Sequence, residues 1–164
     1  MDLSAEFWIT HLKLVKHPEG GNYREIYRSA LKCQIGDAVG GHRNAGTSIY
    51  FLLEKNQFSA FHKISFDELW HFYAGSALEI FEIESETGLL VRHMLGPNPQ
   101  LGEEFQRVIR GGNWFAARPI GATFSLVGCT VAPGFEFSDF ELAARQFLLE
   151  AYPQHSALIL SLTR

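Results

Sequence analysis

The stretch His62-Lys63-Ile64-Ser65-Phe66-Asp67-Glu68-Leu69-Trp70-His71-Phe72-Tyr73-Ala74-Gly75 decides how this chain folds. It reads as two short strands joined by a Ser65-Phe66-Asp67 turn. Successive strand side chains point to opposite faces, so Phe58, Ala60, His62 and Ile64 share one face, and Ser59, Phe61, Lys63 and Ser65 share the other. The lysine and two serines mark the second set as the less buried, which turns His62 inward. After the turn, Glu68, Trp70 and Phe72 form one face and Leu69, His71 and Tyr73 the opposite one. Either Glu68 or His71 therefore stands beside His62. An aromatic wall of Trp70 and Phe72 favours Glu68, and a single bulge would reverse the choice in favour of His71.

The same grammar extends in both directions. β-branched and aromatic runs bounded by turn residues predict strands over 47–53, 58–64, 68–73, 77–83, 89–95, 104–109, 114–118 and 123–131, spaced as consecutive antiparallel hairpins. Strands this short and this regular predict a mainly β sandwich or barrel. Helices are expected only at the ends. The first covers 4–13, with Trp8, Leu12 and Val15 on one face. A second over 139–151 follows the capping box Ser138-Asp139-Phe140-Glu141, and a short last one opens at Pro153.

Composition excludes several classes. With 164 residues, 46% hydrophobic and 20% charged, the chain is globular in character, and area scaling leaves roughly 8,000 Å² exposed after folding. No linker divides it, so one domain is expected over 1–164. A net charge of −4 without a basic run argues against nucleic acid as a partner. Residues 1–15, which carry Asp2, Glu6, His11 and Lys13, lack the pattern of a signal peptide. The longest uncharged stretch, 119–135, is too short and too broken by glycine and proline to span a membrane as a helix, and it reads as buried strands. Cys33 and Cys129 are far apart and read as reduced thiols, which fits a cytoplasmic protein.

A histidine (His62), a glutamate six positions on (Glu68) and a glycine seven positions beyond that (Gly75) form the skeleton of the first cupin motif. In metal-binding cupins a second histidine stands where Ile64 stands here. The second motif resembles Gly112-Asn113-Trp114-Phe115, with Phe115 in a ligand position. Two of the usual four ligands are missing, and His62 with Glu68 supplies fewer than a tight transition-metal site needs. No metal and no cofactor is expected.

Four stretches are more specific together: His17-Pro18-Glu19-Gly20-Gly21 with Tyr23-Arg24-Glu25 and Tyr27-Arg28; residues 47–53; residues 67–75; and residues 125–135 leading into Asp139-Phe140-Glu141. They resemble the small single-domain cupins of the cupin-5 family over nearly the whole chain. The resemblance implies a double-stranded β-helix, the jelly-roll barrel shared with deoxysugar epimerases, and a homodimer. It brings no particular reaction with it.

Candidate catalytic residues are His62 as base, Glu68 as its orienting carboxylate and Tyr50 as proton donor to the opposite face. Candidate ligand contacts are His71, Gln106, Trp114, Phe115 and Arg24. Arg24 and Arg28, read on one strand face with Ile26, suit either an anionic ligand or salt bridges at a dimer edge. The turn at 17–21 lacks the lysine and hydroxyl of a phosphate loop and reads as a tight turn leading into the first long strand. Two functional classes stay open. One is a metal-independent isomerase or epimerase acting on a sugar-like or nucleotide-linked molecule. The other is a binding or sensing module in which Ile64 and Phe115 make an apolar floor. A metal-dependent dioxygenase needs ligands the sequence does not offer.

Overall fold

The structure, a computed structural model, describes residues 3–36 and 41–164. Met1 and Asp2, part of the N-terminal amphipathic stretch, lie outside the described residues. The surface area is 8614 Å², close to the value expected from chain mass.

Thirteen strands are described, in chain order β1 (Val15–Lys16), β2 (Asn22–Arg28), β3 (Lys32–Gln34), β4 (His42–Asn44), β5 (Thr47–Leu53), β6 (Ser59–Lys63), β7 (Glu68–Gly75), β8 (Leu78–Ile83), β9 (Leu90–Leu95), β10 (Gln106–Ile109), β11 (Trp114–Pro119), β12 (Ser125–Val131) and β13 (Glu141–Leu142). They form a six-stranded sheet in the order β1-β2-β5-β12-β7-β10, a five-stranded sheet β13-β6-β11-β8-β9, and a β3-β4 hairpin. All ladders are antiparallel. The architecture is the expected mainly β jelly roll. Its connections differ from the expected run of hairpins, since only β1-β2, β3-β4 and β8-β9 join strands adjacent in sequence. Most of the other links pass between the two sheets, and each such crossing buries the apolar face of a strand against the opposite sheet.

Alternation sorts the core. Phe51, Leu53, Trp70, Ile80, Phe115, Val127 and Cys129 fill the space between the sheets. On the outer face of the first sheet, Leu52, Phe124 and Leu126 pack beneath Trp8 and Ile9 of helix α1 (Ala5–His11) and Leu12 just after it. The Ser4 side chain accepts from the Phe7 amide at 3.1 Å and caps that helix. On the outer face of the second sheet, Phe61, Ile83 and Trp114 lie under α2 (Arg145–Ala151) and α3 (Ser156–Ser161), through Leu148 and Ile159. The face of β6 carrying Phe61 is therefore as buried as the other, against the sequence expectation.

The helix expected over 139–151 begins late. Residues Phe137–Asp139 form a 3-10 turn, Glu141–Leu142 become β13, and α2 starts only at Arg145 without a side-chain cap. The capping residues have other partners. Lys63 Nζ holds Glu141 at 2.9 Å, Arg43 holds Asp139 at 2.9 Å, and the open edge of β6 takes the backbone of Glu141 and Leu142.

Candidate functional site

Two bulges set the site. In β6, His62 pairs with Phe115 but Ser59 pairs with Ala117, so one extra residue lies between them and both side chains turn to the interior. In β2 the register shifts between Glu25 and Tyr27. Arg24 stays opposite Tyr50 on the outer face, while Arg28 comes opposite Thr47 and turns inward. The two arginines do not share a face.

Between the sheets these strands enclose a cavity of about 120 Å³. Its walls are Tyr23, Ile49, Phe51, Ile64, Phe135, Phe137 and Phe140, with His17, Glu19, His62, Glu68 and Cys129 among them and Glu25, Arg28 and Glu136 also lining it. His62 and Glu68 are thus brought to one cavity, and both are buried.

His62 has a carboxyl partner, and it is Glu19. Glu19 Oε2 lies 3.0 Å from His62 Nε2 and 3.6 Å from His17 Nδ1, and Ser59 Oγ donates to Glu19 Oε1 at 2.7 Å. His62 Nδ1–H donates to the Ala60 carbonyl at 2.7 Å, which leaves the lone pair on Nε2. Burial pushes the Glu19 carboxyl up against the pull of His17, Ser59 and Arg164, and burial pushes His62 down to about 4. Both shifts work against an ion pair: burial favours the neutral forms of the Glu19 carboxyl and the His62 imidazole, and with Nδ1–H committed to Ala60 the Nε2 lone pair of His62 faces Glu19. Burial likewise lowers His17, partly offset by Glu19, and its Nδ1 accepts from the Glu19 amide at 3.4 Å.

Glu68 makes its hydrogen bonds elsewhere. Trp70 Nε1–H donates to its Oε2 at 3.0 Å, and the Cys129 thiol lines the same cavity. Burial, reinforced by the nearby Glu19, pushes Glu68 up to about 8, so it carries a proton at neutral pH. Burial also holds Cys129 well above its ordinary value, as a thiol. Cys33 and Cys129 are both free.

The other candidates lie apart from this cavity. Tyr50 faces outward beneath α1, its ring edge-on to Tyr73 at 5.9 Å. His71 lies on the same outer face, with Nε2 3.2 Å from Thr130 Oγ1. Gln106 is exposed on β10 opposite His71. Trp114 is buried under α2 beside Phe147, with Lys63 Nζ over its ring. Arg24 donates to the Leu12 carbonyl at 2.8 Å and ties α1 to β2. Phe115 does reach the interior, its ring centroid 4.1 Å from that of His62. Sequence reasoning passes over His17 and Glu19 because the turn that carries them reads only as a tight turn leading into the first long strand. Two acid-base side chains flanking a proline, just before two glycines, were the available signal.

Among the described residues no three His, Cys, Asp or Glu side chains are grouped to share a metal ion. Apolar Ile64 and Phe115 occupy two of the positions where cupin ligands would stand, and His62 uses both nitrogens within the chain. This donor set does not fit a tight transition-metal site.

The sequence profile of Cupin_5, described as "Cupin superfamily (DUF985)", matches residues 6–143. The chain belongs to this family. Among solved structures, the Cupin_5 chain is similar to a protein of Shewanella oneidensis, with 41% identity over 99% of this chain and 98% of that one and a TM-score of 0.91. A hypothetical protein from Leishmania major shares 36% identity over 98% and 99%, with a TM-score of 0.92. A dTDP sugar isomerase from Desulfovibrio desulfuricans, 14% identical over 74% of this chain and 83% of that one at a TM-score of 0.53, shares the fold. No curated protein matches the Cupin_5 chain in sequence. Among the described residues, no helix is long and apolar enough to cross a membrane.

Proposed function

We propose that this Cupin_5 chain, acting as one unit over 1–164, binds a small sugar-like molecule in the cavity and moves a proton on it without a metal, as an isomerase or epimerase does. One observation carries the reading: a carboxyl held protonated and an imidazole held neutral line the same enclosed space. Environments that push two titratable groups apart in this way assign an acid and a base. Glu68 gives a proton, and the Glu19–His62 pair takes one. One proton leaves the cavity wall for the ligand and one returns to it, so the cavity gains no net charge. Tyr23, rather than the outward-facing Tyr50, is the tyrosine within reach of such a ligand.

The test is solvent exchange. Free aldoses and ketoses incubated with the protein in D2O should take up deuterium beside the carbonyl, and Glu68→Gln and His62→Gln should each abolish the uptake. If no sugar exchanges and neither variant changes anything, the catalytic reading is wrong.

A second reading, a non-catalytic binding or sensing module, draws on the occupation of both His62 nitrogens by Ala60 and Glu19. Native mass spectrometry after gentle purification would then find a retained small molecule that the protein leaves unchanged.

We also propose that a second copy of the chain is the partner. From residue 24 onward the outer edge of β2 is unpaired among the described residues and carries exposed Ile26 and Tyr27, with exposed Val15 on β1 beside it. An open apolar edge of this kind is stable in solution when covered.

A further inference from the structure

The cavity has one cation among its lining residues, Arg28. A guanidinium has five N–H groups, and each of these five already has an acceptor in the chain. Nε–H and one Nη2–H donate to the two oxygens of Glu25, at 3.0 and 2.8 Å. The second Nη2–H donates to the Phe135 carbonyl at 3.1 Å. Nη1 donates to Glu136 Oε1 at 2.6 Å and to Asn44 Oδ1 at 3.2 Å. The nearby Lys32 ammonium is bound to the same Asn44 oxygen at 3.0 Å and does not line the cavity. Arg28 and its two carboxylates together carry a net charge of −1, and no N–H of the guanidinium remains for an anion.

Behind this charged group the walls are aromatic and aliphatic, and the polar groups among them offer no counter-charge. Burial holds Glu68 protonated and His62 neutral, pushes Glu19 and His17 toward their neutral forms, and keeps Cys129 a thiol.

From the saturated Arg28 and the apolar cavity it lines, we infer that the ligand of this site is uncharged, and that phosphorylated, nucleotide-linked and carboxylated molecules are excluded. The inference rests on the cavity being the binding site, and it narrows the sugar-like class proposed above to free, unphosphorylated molecules. An anion entering here would lose its water, find no unoccupied cationic donor and sit beside two carboxylates. An uncharged molecule with an apolar ring and hydroxyl or carbonyl groups meets none of these penalties. Its polar atoms can pair with the Tyr23 hydroxyl and with His17 Nε2, which has no hydrogen-bond partner among the described residues.

The experiment compares phenol with benzoate, uncharged and anionic rings small enough for such a cavity, by ligand-observed NMR on the intact protein at neutral pH. Competition between them and shifts of the His17 and His62 ring signals report the site. Phenol should bind and benzoate should bind at least about tenfold more weakly. Glu25→Gln/Glu136→Gln, which turns the net charge around Arg28 from −1 to +1 and loosens the guanidinium, should narrow that gap. Benzoate binding as tightly as phenol, or neither molecule entering the cavity, would overturn the inference. These probes undergo no isomerisation. Failure of the sugar-exchange test with phenol still preferred would remove the catalytic reading and leave this one standing.

Discussion

Glu19 Oε2 lies 3.0 Å from His62 Nε2, and this contact joins the turn after β1 in the six-stranded sheet to the middle of β6 in the five-stranded one. Beside it, Ser59 Oγ donates to Glu19 Oε1 and the Ala60 amide donates to the Glu19 carbonyl at 2.9 Å. The pair is therefore a clamp between the sheets as well as the polar centre of the cavity.

Glu19→Ala leaves both the Ser59 hydroxyl and His62 Nε2 without a partner, which costs about 2–4 kcal/mol for buried groups. Glu19→Gln keeps both bonds, because the amide oxygen accepts from Ser59 and the amide N–H donates to His62, and it should cost under about 1 kcal/mol. Urea denaturation of the two variants measures the difference. A glutamine as costly as alanine would show that Glu19 is ionised in the folded chain.

Glu68 holds its proton to about pH 8 when folded, against 4.5 for the free group. Between those values the unfolded chain has released a proton that the folded chain keeps. Stability therefore falls as pH rises through that window, by a total on the order of 5 kcal/mol. Glu68→Gln removes this loss while keeping an acceptor for Trp70. Its melting temperature relative to the parent should climb steadily from about pH 5 to about pH 8. A difference that stays flat across this range would show that Glu68 titrates normally.

His62 works in the opposite direction at lower pH. Its folded value of about 4 lies below the usual 6.5, so the unfolded chain takes up a proton first and stability is lost as pH falls between the two. His62→Gln should flatten the acid limb of the stability profile below about pH 6.5. NMR titration of the His62 ring would show no protonation at pH 6.

Gly21 has φ +73, and a Cβ there would lie 2.7 Å from both the Leu52 carbonyl oxygen and the Leu53 side chain. Gly21→Ala therefore costs about 1–3 kcal/mol in backbone strain alone and displaces the turn that carries Glu19. Thermal melts should show the loss, and the His62 ring signals should move with it. A variant with parent stability and unshifted His62 signals would mean that the turn is not what positions Glu19.

Sedimentation at micromolar concentration should show a dimer. Tyr27→Lys places a charge on the open edge of β2 and should shift the equilibrium toward monomer without unfolding the chain. A parent protein that sediments as a monomer would refute the proposed second copy.

Strand existence was legible because alternation of apolar and polar side chains is a local property of the backbone. Thr47–Leu53 and the inward placement of His62, Glu68 and Trp70 follow from it. The bulges were not legible. One extra residue in β6 brought Ser59 to the same side as His62, and another in β2 separated Arg24 from Arg28, because a bulge depends on the partner strand's register. The capping box at 138–141 misled for a related reason. Its local hydrogen bonds lost to Lys63, Arg43 and an open strand edge, all distant in sequence.

By itself the sequence determined the jelly-roll class, the helices confined to the ends and the apolar residues at two positions where a cupin metal site would have ligands. Each of these is written in residue types at short spacing. Only the tertiary structure decided which carboxyl meets His62, which charges surround Arg28 and which aromatics enclose the cavity. Ser59 and Glu19 are 40 residues apart, and Arg28 and Glu136 are 108 apart. Such pairs form only where two sheets close on each other, and the burial that closure imposes is what pushes Glu19, His62 and Glu68 toward their neutral forms.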